Sequence, residues 1–252
     1  MNRSRAILSS LSDSLFSVFA PQKCALCENS VESNADGETC DECWGKAEIY
    51  KQNQALCHKC GLISRSNFSA ESNVEKARCG QCDEDDFDAA RAIGNYEGAL
   101  RVAVLRLKER PFISLRLRRL LMETLINSPF DSATKILPIP LHPIRFRERG
   151  FNQAEILATE LSRRSGLPFD TKNLVRSVYT KVHRTGMDAK ARQTTVEKAF
   201  QVKSPRLIEN ETILLVDDVF TSGATVSGCA KVLKKAGADK VFVLTIARAV
   251  WL

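Results

Sequence analysis

The sequence predicts an α/β fold, a parallel sheet flanked by helices, with a small cysteine-rich region on its N-terminal side. Three observations predict it. Apolar runs of strand length, "KILPIP" (135–140), "TILLVDD" (212–218) and "KVFVLTIARA" (240–249), alternate with amphipathic helical stretches. Eight of the nine cysteines precede residue 90, in four Cys-x-x-Cys pairs. The composition, 44% hydrophobic and 27% charged, is that of a soluble globular chain. No apolar run reaches the length of about 18 residues that a spanning helix needs.

Residues 1–19, "MNRSRAILSSLSDSLFSVF", combine a basic start with apolar residues, as a signal peptide does. Asp13 and the interspersed serines break the apolar core, however. Ile7, Leu8, Leu11, Leu15, Val18 and Phe19 fall at helical spacing instead, which predicts an amphipathic helix docked on the adjoining domain of a cytoplasmic protein.

Residues 20–90 hold the cysteine pairs Cys24/Cys27, Cys40/Cys43, Cys57/Cys60 and Cys79/Cys82. Each pair aims two thiolates at one point, and a second pair completes a tetrahedral sulfur shell suited to zinc. Twelve residues separate the first two pairs and eighteen the last two, intervals that fit four-cysteine sites. One pair alone would suit redox chemistry, and four would suit disulfides in a secreted chain; the cytosolic reading favours metal. Sequential sites need shorter loops than a cross-braced arrangement. Closed sulfur shells leave no position for water, so two structural zinc sites are expected. Zinc binding worth about 10–16 kcal/mol then supplies much of the folding free energy of a segment poor in apolar residues. Cys229, alone in a later helical stretch, reads as a small buried residue.

The acidic stretch "DEDDFDAA" (83–90) marks a domain edge near residue 90. Before it, residues 20–90 carry 14 Asp and Glu against 7 Lys and Arg. After it, residues 91–252 carry 28 basic against 15 acidic residues, a surplus that suits polyanions or phosphorylated ligands.

Residues 91–252 read as one domain. "RAIGNY" (91–96) predicts a short strand and "GALRVAVLRLKER" (98–110) a helix ending before Pro111. In "SLRLRRLLMETLIN", Leu117, Leu120, Leu121 and Leu125 form one stripe. "KILPIP" predicts a buried strand and "FNQAEILATELSRRSG" a helix stopped by Gly166. "TILLVDD" is a strand, "TVSGCAKVLKKAGA" a helix and "KVFVLTIARA" the closing strand. In such sheets ligands gather beyond the carboxyl ends of the strands.

That is where "ILLVDDVFTSGAT" (213–225) ends. Asp217 and Asp218 offer two carboxylates to vicinal hydroxyls, or to Mg²⁺ through water. Thr221, Ser222, Gly223, Ala224 and Thr225 turn into a helix whose N–H groups and dipole favour an anion, with Gly223 letting the backbone approach. Diol and phosphate recognition side by side describe a sugar phosphate. A phosphate-loop nucleotidase would need a lysine after the glycine, and none follows Gly223.

The same stretch closely resembles the phosphoribosyl-pyrophosphate (PRPP) motif of type I phosphoribosyltransferases. The resemblance implies that Asp217 and Asp218 grip the ribose and Thr221 to Thr225 the 5′-phosphate, with Mg²⁺ accompanying PRPP. "LPIPLHPIRFRERGFNQAEILA" (137–158) resembles the ComF family of competence-associated proteins, which joins a double zinc ribbon to a phosphoribosyltransferase-like domain. In that family the turn after Pro140 meets pyrophosphate, which makes His142, Arg145, Arg149 and Asn152 phosphate candidates, with Arg147 beside them. The arginine fork suits phosphate oxygens.

Two departures from the family pattern bear on function. Thr221 stands where some purine-salvage relatives carry an acidic base, and a hydroxyl is a poor proton acceptor at neutral pH. In "YTKVHRTGMDAKARQTTVEKAF" (179–200), a polar, basic stretch expected as a mobile lid, the family's Gln-x-x-Leu and Arg-x-x-Asn fall at Arg184 to Met187 and Arg192 to Thr195, and only Arg192 is kept. ComF resemblance implies a protein that handles single-stranded DNA during uptake, beside the competence machinery, with a pocket for PRPP or a related sugar phosphate. The alternative is a Mg-dependent phosphoribosyltransferase of unknown acceptor.

Overall fold

Alternation of side chains along the central strands builds two cores, one on each face of a single sheet. The computed structural model describes residues 22–51, 57–63, 79–80, 82–177 and 199–250. The expected N-terminal helix and nearly all of the segment 179–200 lie outside the described residues. Strands β1 (Ala89–Asn95) and β2 (Lys135–Pro138) are followed by a short antiparallel pair, β3 (Leu174–Arg176) and β4 (Phe200–Val202). β5 (Thr212–Phe220) and β6 (Lys240–Arg248) complete a four-stranded parallel sheet in the order β1-β6-β5-β2.

Both faces of this sheet are covered, which is why its strands read as apolar runs rather than as alternating patterns. On one face, Leu214 and Val216 of β5 join Phe242, Leu244 and Ile246 of β6. Helices α2 (Gly98–Glu109), α3 (Leu115–Ile126) and α5 (Gln153–Ser165) pack against them. On the other face, Ile213, Leu215, Val241 and Val243 meet α6 (Ala224–Lys235) and Phe200 of β4. Cys57, Cys60 and Cys82 belong to this second core, so the second cysteine set packs directly on the sheet. The first set stands apart with Val31, around the one-turn helix α1 (Asp41–Gly45). Trp44 of α1 reaches the first core.

Among the described residues the predicted strands and helices fall where the periodicity places them, with informative differences. Leu117 and Leu121 are fully buried, whereas Leu120 and Leu125 only edge the core. The first strand starts at Ala89, two residues before "RAIGNY". Gly94 within it is required by a close approach, because a Cβ there would stand 2.1 Å from the Glu48 carbonyl oxygen. The turn expected after Pro140 is a seven-residue helix, α4 (Pro143–Arg149), with Pro143 in its first turn and Gly150 at φ 83° closing it. Among the described residues no helix is long and apolar enough to cross a membrane.

Candidate functional site

β5 brings Asp217 and Asp218 to the carboxyl end of the sheet, and as neighbours on a strand they leave it on opposite faces. Asp218 is buried on the α2 face, where Lys108 Nζ stands 3.0 Å from its Oδ2. The contact is an ion pair without hydrogen-bond alignment, since that oxygen accepts no hydrogen bond among the described residues. Asp217, partly buried, lies on the α6 face, and its Oδ1 accepts a 2.8 Å hydrogen bond from the Asp218 amide. Burial, and then the Asp218 charge, push the Asp217 carboxyl well above the usual carboxylate range. Burial, and then the Asp217 charge, likewise raise the thiol of the fully buried Cys229. The pair is thus unequal: Lys108 compensates the charge of Asp218, while burial and that neighbouring charge both oppose ionisation of Asp217.

Arg176 of β3 approaches from the same side as Asp217. Burial lowers its pKa, the charge of Asp217 works against that fall and the charge of Arg145 adds to it. Its guanidinium lies 5.3 Å from the centre of the Phe200 ring. Arg176 thus lies within electrostatic reach of Asp217 and of Arg145.

Beyond β5 the chain turns through Thr221 and Ser222, both exposed, to Gly223 at φ 81°. Gly223 is the N-cap of α6, and among the described residues no side chain caps that helix. Its first N–H groups are left to an anion, with the dipole behind them. A Cβ at Gly223 would meet Phe220 Cζ at 3.1 Å and Asp85 Oδ2 at 3.3 Å. Asp85 belongs to the acidic stretch before β1, which lies along α6: the Asp86 amide donates to Ser227 Oγ at 3.0 Å and Asp88 pairs with Lys234 at 2.8 Å. Burial raises the Asp85 pKa, partly offset by Ser227 and Lys59.

The candidates around α4 divide. His142 caps α4, its Nδ1 accepting from the Ile144 amide at 3.2 Å. Asn152 is buried and caps α5: its Oδ1 accepts from Ala154 N, and its Nδ2 donates to the Ile139 carbonyl. Arg149 donates to Gln153 Oε1. Arg145 and Arg147 are exposed, Arg145 within 3.8 Å of Glu148.

The cysteines assemble in sequence order. Cys24, Cys27, Cys40 and Cys43 form one set and Cys57, Cys60, Cys79 and Cys82 the other, the sulfurs of each set lying within 4.8 Å of one another. In the second set, Cys57–Cys82 and Cys79–Cys82 are 3.7 Å apart and Cys60–Cys79 3.5 Å. Thiolates about 2.3 Å from a tetrahedral zinc stand roughly 3.8 Å apart, so both shells fit the ion. In the first set the amides of Leu26 and Cys40 both point at Cys24 Sγ, the outer shell that zinc thiolates use. Both are structural sites with no open position.

Four residues that pattern reading does not single out shape the region: Lys108, Arg176, Asp85 and Arg248. Arg248, buried at the end of β6, donates from Nη1 to the Cys60 carbonyl at 2.5 Å. Each is placed by tertiary contact. The acidic run before β1 is the only local signal, and for Asp85 alone.

Two known families match separate parts of the chain. The double zinc ribbon domain matches residues 15–83, spanning all eight ligands. The phosphoribosyl transferase domain matches residues 147–249, spanning the acid pair, the Gly223 turn and α6. β1 and β2 precede that segment yet lie in its sheet. Competence protein F of Haemophilus influenzae is 30% identical over 224 residues, covering 83% of this chain and 96% of that protein. The chain belongs to the ComF family. DNA utilization protein YhgH of Salmonella typhimurium, 28% identical over 236 residues, covers 90% of this ComF-family chain and 97% of its own. Competence protein ComFC of Bacillus subtilis is 34% identical over 119 residues, 47% of this chain and 46% of that protein.

Proposed function

We propose that this ComF-family protein handles single-stranded DNA during DNA uptake in the cytoplasm, and that its pocket holds PRPP or a related sugar phosphate. The observation that carries the pocket is the succession at the end of β5: an acid pair, the Gly223 turn, and an uncapped helix N-terminus. Asp217 and Asp218 take the vicinal hydroxyls of the ribose. The N–H groups around Thr221 to Thr225 take the 5′-phosphate. Arg145 and Arg176 face the pyrophosphate. Mg²⁺ enters on the ligand's own oxygens, because Asp218 is already paired with Lys108. The names of the relatives, competence and DNA utilization proteins, support the DNA role, as does the basic surplus of residues 91–252.

Titration calorimetry with Mg-PRPP tests the pocket. The wild type binds, and Asp218→Asn weakens binding at least tenfold; a wild type that takes no PRPP sinks the reading. Pyrophosphate release in the presence of a nitrogen acceptor would add group transfer to binding. For DNA, affinity for an oligonucleotide falls steeply with added salt as phosphate contacts release counterions, and a flat response would refute the DNA role.

A further inference from the structure

The second zinc site and the phosphate turn share parts. Phe220 and Arg248 are register partners at the ends of β5 and β6. Arg248 lies over the Phe220 ring at 4.4 Å, and its Nη2 points at Cys60 Sγ at 3.5 Å while Nη1 holds the Cys60 carbonyl. Phe220 is in turn the floor of the turn, since its Cζ is the nearest atom to a Cβ at Gly223. Phe87 braces the same ring edge-on at 5.8 Å. A second link leaves the site at Cys82, whose carbonyl accepts from the Asp85 amide at 3.2 Å. Lys59, between Cys57 and Cys60, is buried and donates its ammonium to the carbonyls of Asp83 and Asp85. Asp85 then places its carboxylate beside Gly223. The first cysteine set clusters only with Val31, and its outer contacts run to α2, through Glu38 to Arg106, rather than to the Gly223 turn.

We infer that the second zinc is a positioning element of the phosphate pocket, coupled to the Gly223 turn through Arg248 and Phe220, so that zinc and ligand strengthen each other's binding. Zinc draws four sulfurs together and presents thiolate to the guanidinium, a charge-assisted contact that pins Arg248 over Phe220. With Phe220 pinned, the turn keeps the backbone needed by the phosphate. Conversely, a phosphate seated on the turn holds Phe220, and through it Arg248, against Cys60. Linkage makes the effect reciprocal, commonly 5- to 150-fold, on the order of tenfold for one such contact. The inference rests on the sugar-phosphate reading above.

The test follows the equilibrium partition of zinc between the full chain and the chelator 4-(2-pyridylazo)resorcinol, with and without saturating Mg-PRPP, beside calorimetry of Mg-PRPP itself. In the wild type one of the two zinc ions is held about tenfold more tightly against the chelator with ligand present, while the other is unaffected. Arg248→Lys, which keeps the charge but loses the fork, binds Mg-PRPP about tenfold more weakly, and its zinc release no longer responds to ligand. Phe220→Leu, which keeps the core filled but removes the ring under Arg248, gives the same uncoupling if Arg248→Lys does not retain two zinc ions. A wild type that binds Mg-PRPP yet yields both zinc ions to the chelator at unchanged equilibrium overturns the coupling alone. One that binds no Mg-PRPP overturns the pocket and the coupling with it.

Discussion

Lys108 crosses from the last turn of α2 to Asp218 and closes an ion pair of 3.0 Å, the carboxylate almost wholly buried and the lysine about a third exposed. Removing the lysine leaves a buried charge without its partner, while the partial exposure of Lys108 limits the loss through solvent screening. Lys108→Met is expected to lower unfolding free energy by about 1–2 kcal/mol in urea titrations. Adding Asp218→Asn recovers part of that, because the orphaned charge is gone. A strictly additive double-mutant cycle would show that the two residues do not interact.

Asp217 carries the opposite prediction. Its folded pKa is raised by burial and by Asp218. Between the unfolded value and that raised value the folded state holds more protons than the unfolded state, so stability falls as pH rises through this window. Asp217→Asn removes the penalty. The variant melts a few degrees higher than the wild type at neutral pH, with the gain vanishing below about pH 4, yet loses Mg-PRPP binding. A variant that melts lower at neutral pH would contradict the assignment of the raised pKa to an unfavourable burial.

Asp85 places a carboxylate beside the turn assigned to phosphate. Like charges at that distance repel, so Asp85→Asn is expected to tighten binding of Mg-PRPP and of inorganic phosphate by about two- to tenfold, more at low ionic strength. Competition binding at two salt concentrations reads this directly. Weaker binding in the variant would show that the carboxylate supports the turn rather than opposing its ligand.

Glu160, on α5, is buried among Arg118, Arg163 and Arg164, with Arg163 Nη2 at 2.8 Å and Arg118 Nε at 3.9 Å. Burial alone would raise its pKa, but the hydrogen bond from Arg164 and the three charges outweigh it and hold the carboxyl below its ordinary value. A depressed carboxylate stabilises the fold above its unfolded pKa and loses that contribution as pH falls through the folded one. Glu160→Gln should therefore cost about 1–2 kcal/mol at neutral pH, with the difference from wild type closing below about pH 4. Urea midpoints measured at both pH values check it, and an undiminished gap in acid would rule out the ionic cause.

The four strands of the parallel sheet, the long helices and both cysteine sets are legible in sequence because each rests on local regularity: apolar runs, a 3.6-residue stripe, paired thiols at fixed spacing. Asp217, Asp218 and Gly223 are legible for the same reason, as a strand end running into a turn. α4 reads as a turn although its signals are present, a capping residue before Pro143 and a glycine after Arg149. That helix sets Asn152 apart, making it a cap rather than an exposed donor. β3 and β4, of three residues each, are too short for periodicity to reveal. Lys108, Arg176 and Arg248 owe their places to packing between distant segments, and no window of sequence contains both partners. The packing of Cys57, Cys60 and Cys82 into the core behind β6 belongs to the same class: the acidic run marks an edge in composition, while the core runs across it.

The sheet order has a consequence for how the chain is made. β1, the first strand of the sheet to leave the ribosome, has β6 as its neighbour there, and β6 is the last of the four to be synthesised. Cys60 likewise waits for Arg248, 188 positions later. A nascent chain can gather its first four thiols early, with no need of the sheet. The second set, β1 and the Gly223 turn can be sealed only when β6 arrives, so they close together in one late, long-range step. Until that moment the unfinished chain exposes a half-built metal site and an unpaired strand together, and both vanish at once.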